Sequence, residues 1–177
     1  MAAIVTNAEI AAAIRNVPDF PKTGIQFKDI TPVLADARLF AGAIDLLTET
    51  HAPGTIDAVV GIDARGFIFA AAAATRLHAG FIPVRKKGKL PFTIIEQDYA
   101  LEYGSATVAI HTDALKPGAR VLLIDDLLAT GGTAAAAIAL VQKLGANIVE
   151  AGFLIELKFL NGREKLGGLP IRSLVAY

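Results

Sequence analysis

The sequence contains no cysteine and carries no net charge, because 17 lysine and arginine residues balance 17 aspartate and glutamate residues. The absence of cysteine excludes disulfides and thiolate metal sites, and it is compatible with a reducing compartment. A net charge of zero argues against a broad basic surface of the kind that binds nucleic acid or anionic lipid. We therefore expect no nucleic-acid partner, and any basic cluster must be local.

Long apolar runs are also absent. The longest, 67–74 and 134–141, have eight residues each, which is far below the roughly 20 needed to cross a bilayer. Residues 1–16 lack the basic start and apolar stretch that are typical of a secretory signal. These observations predict a cytoplasmic protein with no membrane partner.

What the chain does contain is enough apolar sequence for one core. It has 177 residues, of which 54% are hydrophobic, as expected of one globular domain. Short β-rich apolar segments are predicted to be strands, and helical segments alternate with them. The predicted strands lie at 56–62, 81–84, 105–110, 121–124, 148–155 and 171–175. This order predicts an α/β fold in one domain, with a mostly parallel twisted sheet and helices on both faces.

Residues 121–133, VLLIDDLLATGGT, combine a strand, an acidic pair and a small loop. The predicted strand 121–124 ends in Asp125 and Asp126, at the sheet edge where open α/β sheets bind ligands. The loop that follows, Ala129, Thr130, Gly131, Gly132 and Thr133, leads into a predicted helix at 134–144. Backbone N–H groups at a helix start attract anions, and glycines allow close approach. The alternative is that the acids cap a helix and the glycines form an ordinary turn.

Two further features suggest an anionic ligand. Arg65 follows the predicted strand 56–62, and its planar guanidinium can bind two phosphate oxygens at once. Four cations lie within five positions after strand 81–84, and they are Arg85, Lys86, Lys87 and Lys89. Such a run is often only a solvated face. In a chain of zero net charge, it could also form a local electropositive site.

The standard nucleotide fingerprints G-x-x-x-x-G-K-[ST] and G-x-G-x-x-G are absent, so a sugar phosphate is the expected anion. Residues 121–133 resemble the phosphoribosyl-diphosphate (PRPP) signature of the type I phosphoribosyltransferases. Further blocks resemble the members of that family that act on adenine. These blocks lie at 18–21, 27–32, 59–67, 85–91, 101–104 and 162–166, in the family's order.

The resemblance implies transfer of a 5-phosphoribosyl group from PRPP to adenine, giving AMP and pyrophosphate. It implies that Asp125 and Asp126 hold the ribose hydroxyls, that 129–133 binds the 5-phosphate, and that Arg65 and the cations of 85–89 bind pyrophosphate. Mg²⁺ would be the cofactor, held mainly by PRPP and water without a protein cage. Glu102 would handle a proton on the purine, and the chain would form a homodimer.

The resemblance also assigns the base side and a lid. Residues 1–35 are predicted to be an N-terminal helix, at 7–15, followed by an ordered base-side loop, at 16–32. Residues 90–104 are predicted to be a mobile hairpin that closes over PRPP. The predicted adenine contacts are Gln26, Phe27, Lys28 and Leu127. From composition alone, Phe27 could instead be a core residue beside a solvated lysine.

Two alternative functions remain open on the sequence. The first is transfer to another base, namely hypoxanthine, guanine or xanthine, since base choice depends on few contacts. The second is a PRPP-sensing regulator without turnover, which would be expected to carry a nucleic-acid module or a broad basic face. The sequence has neither of these features.

Overall fold

The computed structural model describes residues 4–100 and 104–177. Its helices are α1 (Asn7–Ala13), α2 (Thr31–Ala35), α3 (Ala37–Thr48), α4 (Gly66–Leu77) and α5 (Gly132–Lys143). Its strands are β1 (Arg15–Pro18), β2 (Gln26–Asp29), β3 (Ala58–Ile62), β4 (Gly80–Lys86), β5 (Ile94–Ala100), β6 (Ser105–His111), β7 (Arg120–Leu128), β8 (Asn147–Glu156) and β9 (Ile171–Ala176). Two 3₁₀ turns, Lys158–Leu160 and Gly162–Leu166, lie between β8 and β9.

The described part of the chain forms a seven-stranded sheet in the order β5-β6-β4-β3-β7-β8-β9, and a separate hairpin of β1 and β2. Strands β4, β3, β7, β8 and β9 are parallel to one another. Strand β6 is antiparallel to both β4 and β5. The prediction of a mostly parallel sheet is confirmed, and β9 is the edge strand that the sequence predicted.

The hydrophobic core occupies both faces of this sheet. On one face, α1 to α4 pack on alternate strand residues such as Leu122 and Ile124. On the other face, α5 packs on the intervening residues, including Leu123 and Phe153. Every residue of β3 is buried, as expected of a parallel strand covered by helices on both sides.

Capping side chains set the starts of two helices, α1 and α3. Thr6 and Glu9 form a reciprocal capping box at α1, and the Asp36 carboxylate accepts the N–H groups of Arg38 and Leu39 at α3. His78, in the left-handed region, ends α4. The predicted helix at 7–15 ends at Ala13 because the chain turns there into β1.

Two sequence predictions need correction. Residues 16–32 were predicted to be a loop, but β1 and β2 pair as an antiparallel hairpin, from Arg15 opposite Asp29 to Pro18 opposite Gln26. The prolines lie at the hairpin's end and in its turn, where no ladder hydrogen bond is lost. The strand predicted at 121–124 continues to Leu128. The acidic pair therefore lies inside β7, where its pairing with β8 outweighs the polarity of the two acids.

The described residues include no helix that is both long enough and apolar enough to span a membrane.

Close packing of β3 on α4 depends on Gly61. A Cβ there would lie 2.6 Å from the Ala70 Cβ and 2.9 Å from the Phe81 ring. We expect Gly61→Ala to lower the free energy of unfolding by about 1–3 kcal/mol through overpacking. Urea denaturation monitored by circular dichroism measures this loss.

Gly80→Ala is the matched control, because its new Cβ would come no closer than 3.7 Å to a neighbouring atom. This substitution should be neutral or slightly stabilising, since it removes only unfolded-state freedom. Equal losses for the two variants would contradict the packing argument.

Candidate active site

The candidate site lies at the carboxyl edge of the sheet. Strands β4, β3 and β7 are adjacent and parallel, so the segments that follow them meet at one edge. These segments carry the cations of 85–89, Arg65, and the loop 129–133 respectively. The topology therefore brings the predicted phosphate-binding residues of three separate sequence blocks to one side of the molecule.

The acidic pair is held by contacts from the neighbouring loop and helix. The Asp126 carboxylate forms a 2.7 Å ion pair with the Arg65 guanidinium, and its side chain is only 9% exposed. The Asp125 carboxylate accepts the backbone N–H of Asp126 at 2.9 Å. It also lies against Gly66 at the start of α4, where an added Cβ would approach Asp125 Oδ1 to 2.3 Å. Glycine is thus required where α4 meets the acid.

Burial makes both carboxylates difficult to ionise. It raises the pKa of Asp125 well above its usual range, and the charge of Asp126 raises that pKa further. Burial also raises the pKa of Asp126, while the Arg65 guanidinium acts in the opposite direction. A positive charge developing nearby would stabilise the ionised pair, because the low-polarity surroundings screen it little.

The loop 129–133 forms a small anion-sized cavity of about 70 Å³, lined by Asp125 and by residues 127–134. Gly131 precedes α5 with φ of 78°, in the left-handed region that favours glycine. No side chain caps the start of α5, so its first N–H groups remain available to a ligand. The predicted role of the loop as an anion site fits this geometry.

A second cavity, of about 110 Å³, shares Leu127 with the first and is also lined by Asp126. Its lining includes all four residues predicted to contact a base. The full lining is Ile25, Gln26, Phe27, Lys28, Arg65, Asp126, Leu127, Ile155 and Leu157. The Phe27 ring packs edge-on against Phe20 at 5.1 Å between centroids. Its face lies 5.1 Å from the Arg65 guanidinium carbon.

Two of the predicted base contacts are already engaged with neighbouring residues. The Gln26 side-chain carbonyl accepts a hydrogen bond from the Asn16 amide at 2.9 Å. The Lys28 ammonium lies 3.6 Å above the centre of the Tyr177 ring. Gln26 and Lys28 therefore line the base-side cavity with side chains that the hairpin and the C-terminal residue orient.

Sequence reasoning missed three apolar residues of this cavity, Ile25, Ile155 and Leu157. Ile155 of β8 pairs with Leu127 of β7, and Leu157 is the first residue after β8. The rule that ligands bind at the carboxyl ends of parallel strands applies to β8 as well as to β7. That rule would have selected Ile155 and Leu157, whereas Ile25 lies in a hairpin that the sequence did not predict.

Arg65 lies nearer the base-side cavity than its predicted role at pyrophosphate implies. It lines that cavity, faces Phe27 and pairs with Asp126. The arginine therefore joins the base side to the acidic pair, and its side chain is still 38% exposed. This exposure leaves part of the guanidinium open toward the solvent side of the site.

The cations of 85–89 fall into two groups. Arg85 pairs with Asp63 at 3.2 Å and donates to the Lys89 carbonyl, while Lys87 pairs with Glu96 at 2.9 Å. Within residues 4–100 and 104–177, the Lys86 and Lys89 ammonium groups form no ion pair of 4 Å or shorter. Arg85 and Lys87 are thus held in place by neighbouring carboxylates, and Lys86 and Lys89 are not.

Glu102 lies outside the described residues, so its predicted role stays a prediction. The strands that flank it, β5 and β6, pair as an antiparallel hairpin. The predicted lid 90–104 includes β5 but not β6, and its closure over a substrate stays a prediction. Across those same residues, no group of three or more histidine, aspartate or glutamate side chains could hold a metal ion. A magnesium ion here would take most of its ligands from a phosphorylated substrate and water, as Mg²⁺ commonly does.

Comparison with known proteins agrees with this geometry. Residues 26–165 match the phosphoribosyl transferase domain family. The chain is 55% identical over 166 residues to adenine phosphoribosyltransferase of Acidothermus cellulolyticus, covering 94% of each chain.

Two solved structures show the same fold. Adenine phosphoribosyltransferase from Rhodothermus marinus superposes with a TM-score of 0.92 at 49% identity, covering 97% of this chain and 98% of that one. The Saccharomyces cerevisiae enzyme, complexed with adenine and an imino-altritol bisphosphate, gives 0.90 at 42% identity, covering 95% and 97%. On this identity and coverage, the chain belongs to the phosphoribosyl transferase domain family and, within it, to the adenine phosphoribosyltransferases.

Proposed function

We propose that this chain transfers the 5-phosphoribosyl group of PRPP to N9 of adenine, giving AMP and pyrophosphate. The observation that carries the proposal is the arrangement of the two cavities around the acidic pair. Asp125 lines the phosphate-sized cavity, Asp126 lines the base-side cavity, and Leu127 lines both. A ribose that joins a 5-phosphate in one cavity to a base in the other would lie across the two carboxylates.

In this arrangement the loop 129–133 binds the 5-phosphate through the first N–H groups of α5. This contact is remote from the reacting carbon, so its binding energy fixes the position of the ribose without taking part in bond breaking. The face of the Phe27 ring and the Leu127 side chain would pack against the adenine ring through dispersion forces. Gln26 and Lys28 would contact the polar edge of the base and so orient it.

The leaving group is pyrophosphate, which departs readily once its charge is neutralised. Arg85 and Lys87, oriented by Asp63 and Glu96, would be donors to it with fixed directions, and Lys86 and Lys89 would add further positive charge. Arg65 would contact both pyrophosphate and the acidic pair. When bound with PRPP, Mg²⁺ would supply further charge neutralisation on the diphosphate oxygens. The protein would hold that ion through the substrate, since no carboxylate cluster lies among the described residues.

Positive charge develops on the ribose ring as its bond to pyrophosphate lengthens. Asp125 and Asp126, bonded to the 2- and 3-hydroxyls, would place negative charge beside the ring. Their raised pKa values fit this role, because a cationic ring is the partner that stabilises their ionised form. No nucleophilic side chain is needed: N9 of adenine bonds to the anomeric carbon as the bond from that carbon to pyrophosphate breaks, and Glu102 would handle the purine proton that is lost.

Assembly and location are part of the same proposal. Homodimer formation is supported by the resemblance to the family, and the cations of 85–89 could then also act across the interface. The absence of cysteine fits a cytoplasmic location. Light scattering coupled to size exclusion would separate a dimer from a monomer.

The base preference is tested by following PRPP consumption with each purine in turn. We expect adenine to be used at least about 100-fold more efficiently than hypoxanthine, guanine or xanthine, because buried polar groups that match one base are left unpaired by another. Consumption with a different purine would reassign the acceptor. PRPP binding without consumption of any purine would indicate the regulatory alternative.

Asp125→Asn tests whether the Asp125 carboxylate takes part in the reaction. We expect turnover to fall by roughly 10²–10³-fold, because a charge beside the developing cation is lost. Steady-state kinetics with saturating PRPP and adenine measures this loss. Wild-type turnover would remove Asp125 from the mechanism.

The same variant has a pH-dependent effect on stability. Because burial raises the pKa of Asp125 in the folded chain, ionisation lowers stability as the pH rises above about 4, the unfolded value. The gain in melting temperature from Asp125→Asn should therefore be larger at about pH 8 than at about pH 5. Asp57→Asn is the contrast, since Arg120 lowers the pKa of Asp57 to about 2. That substitution should lower the melting temperature at both pH values.

Glu102→Gln tests the proposed proton transfer. We expect kcat to fall by about 10²-fold, within the usual range for general acid–base help, while PRPP affinity stays within about twofold. Pre-steady-state kinetics and PRPP titration measure the two quantities. Equal losses in both would assign Glu102 a binding role instead.

A further inference from the structure

Residues 161–166, here called the backing segment, have no role in the reaction proposed above, although 162–166 is one of the blocks that carry the family resemblance. The segment contains the second 3₁₀ turn, Gly162–Leu166, between β8 and β9. Leu166, only 2% exposed, anchors its end in the same core cluster as α5. The backing segment therefore reaches the region from which the loop 129–133 departs.

The backbone of the backing segment touches the backbone of that loop. A Cβ on Gly131 would lie 2.3 Å from the Gly162 carbonyl oxygen. A Cβ on Gly162 would lie 2.3 Å from the Ala129 carbonyl oxygen and 3.0 Å from the Gly131 nitrogen. Each glycine thus leaves room for the other chain segment, so that the position of Gly162 sets the position of the loop.

A buried carboxylate holds the backing segment in place. Arg163 donates to both oxygens of Glu156, from Nε at 2.6 Å and from Nη2 at 2.7 Å. The Ser173 hydroxyl donates to the same carboxylate at 2.7 Å. Glu156 is 4% exposed and ends β8, which pairs with β7 up to Leu128. The fork geometry fixes the direction of Arg163 as well as its distance.

These contacts also show whether the Arg163 guanidinium is free to bind a phosphate directly. An arginine next to Gly162, which touches the backbone of the loop 129–133, is a natural candidate for a phosphate ligand. Here Nε and Nη2 are directed at Glu156, and Nη1 lies 3.4 Å from the Ile171 carbonyl. The Arg163 guanidinium holds the pKa of Glu156 below its usual range, so the pair remains ionised at neutral pH.

We propose that Gly162 and Arg163 are positioning residues for the 5-phosphate site, acting through the loop 129–133. The Glu156–Arg163–Ser173 contact fixes the backing segment, and Gly162 then fixes the Ala129–Gly131 backbone so that its N–H groups meet at one point. The ligand class is any pentose 5-phosphate, including PRPP and AMP. The inference rests on the proposed function and adds residues that the reaction scheme does not contain.

Glu156→Gln is the discriminating variant, because it releases Arg163 while keeping nearly the same shape. We expect the dissociation constant for ribose 5-phosphate to rise by roughly tenfold, since a misplaced loop offers poorly directed N–H groups. The dissociation constant for magnesium pyrophosphate, which does not use this loop, should stay within about twofold. Isothermal titration calorimetry measures both. If Arg163 were a phosphate ligand, its release would instead tighten ribose 5-phosphate binding, and the proposal would be wrong.

Asp57→Asn is the matched control. Arg120 donates to both oxygens of Asp57 in the same forked manner, but at the start of β7, away from the site. This variant should bind both ligands as the wild-type chain does. A loss of ribose 5-phosphate affinity in Asp57→Asn equal to that in Glu156→Gln would show a general structural effect and overturn the proposal.

Gly162→Ala tests the backbone contact independently of charge. We expect it to weaken ribose 5-phosphate binding at least as much as Glu156→Gln does, with Gly80→Ala as the innocuous glycine control. If both Glu156→Gln and Gly162→Ala bound ribose 5-phosphate with wild-type affinity, the inference about Gly162 and Arg163 would be wrong, but the proposed function would stand. If the wild-type chain itself failed to bind ribose 5-phosphate, the proposed function would fail as well.

Discussion

The structure depends on placing two carboxylates inside β7, directly after the fully buried residues 121–124. Asp125 and Asp126 continue the apolar run of β7, so the contacts that keep them at the site must offset the cost of burying charge. One offset is Arg65, which follows the adjacent strand β3 and pairs with Asp126. The parallel order of β3 and β7 is therefore needed for the electrostatics of the site as well as for the core.

Close approach of backbone is the second constraint, and glycine meets it at several points around the same acids. Gly66 allows the start of α4 to touch Asp125, and Gly131 and Gly162 allow two loops to touch each other. In each case a methyl group would overlap a carboxylate or a carbonyl oxygen. Rigid contact between backbones gives the site a geometry that flexible side chains alone would not provide.

The sequence predicted the parts of the site that follow from local pattern. The loop 129–133 and the acidic pair follow from local pattern, whereas the four base-side residues were assigned through the resemblance to the family. The structure groups both sets at one sheet edge, and their roles stay predictions. The sequence could not predict the contact between Arg65 and Phe27, because that contact joins a hairpin to a loop far away in the chain. The sequence also missed β1 and β2. These strands have only four residues each, and Pro18, Pro21 and Gly24 at their connection resemble a loop in any local reading.

If the cations of the site bind pyrophosphate as proposed, they explain how a chain with no net charge can bind a polyanion. Arg65, Arg85 and Lys87 are each paired with a carboxylate of the same sheet edge. Such pairs add little stability when exposed, but they fix the direction of long side chains that would otherwise lose entropy on binding a ligand. Local order of balanced charges can therefore replace a broad positive surface. The proposed site would therefore suit a compact ligand with several phosphates better than an extended polyanion such as nucleic acid.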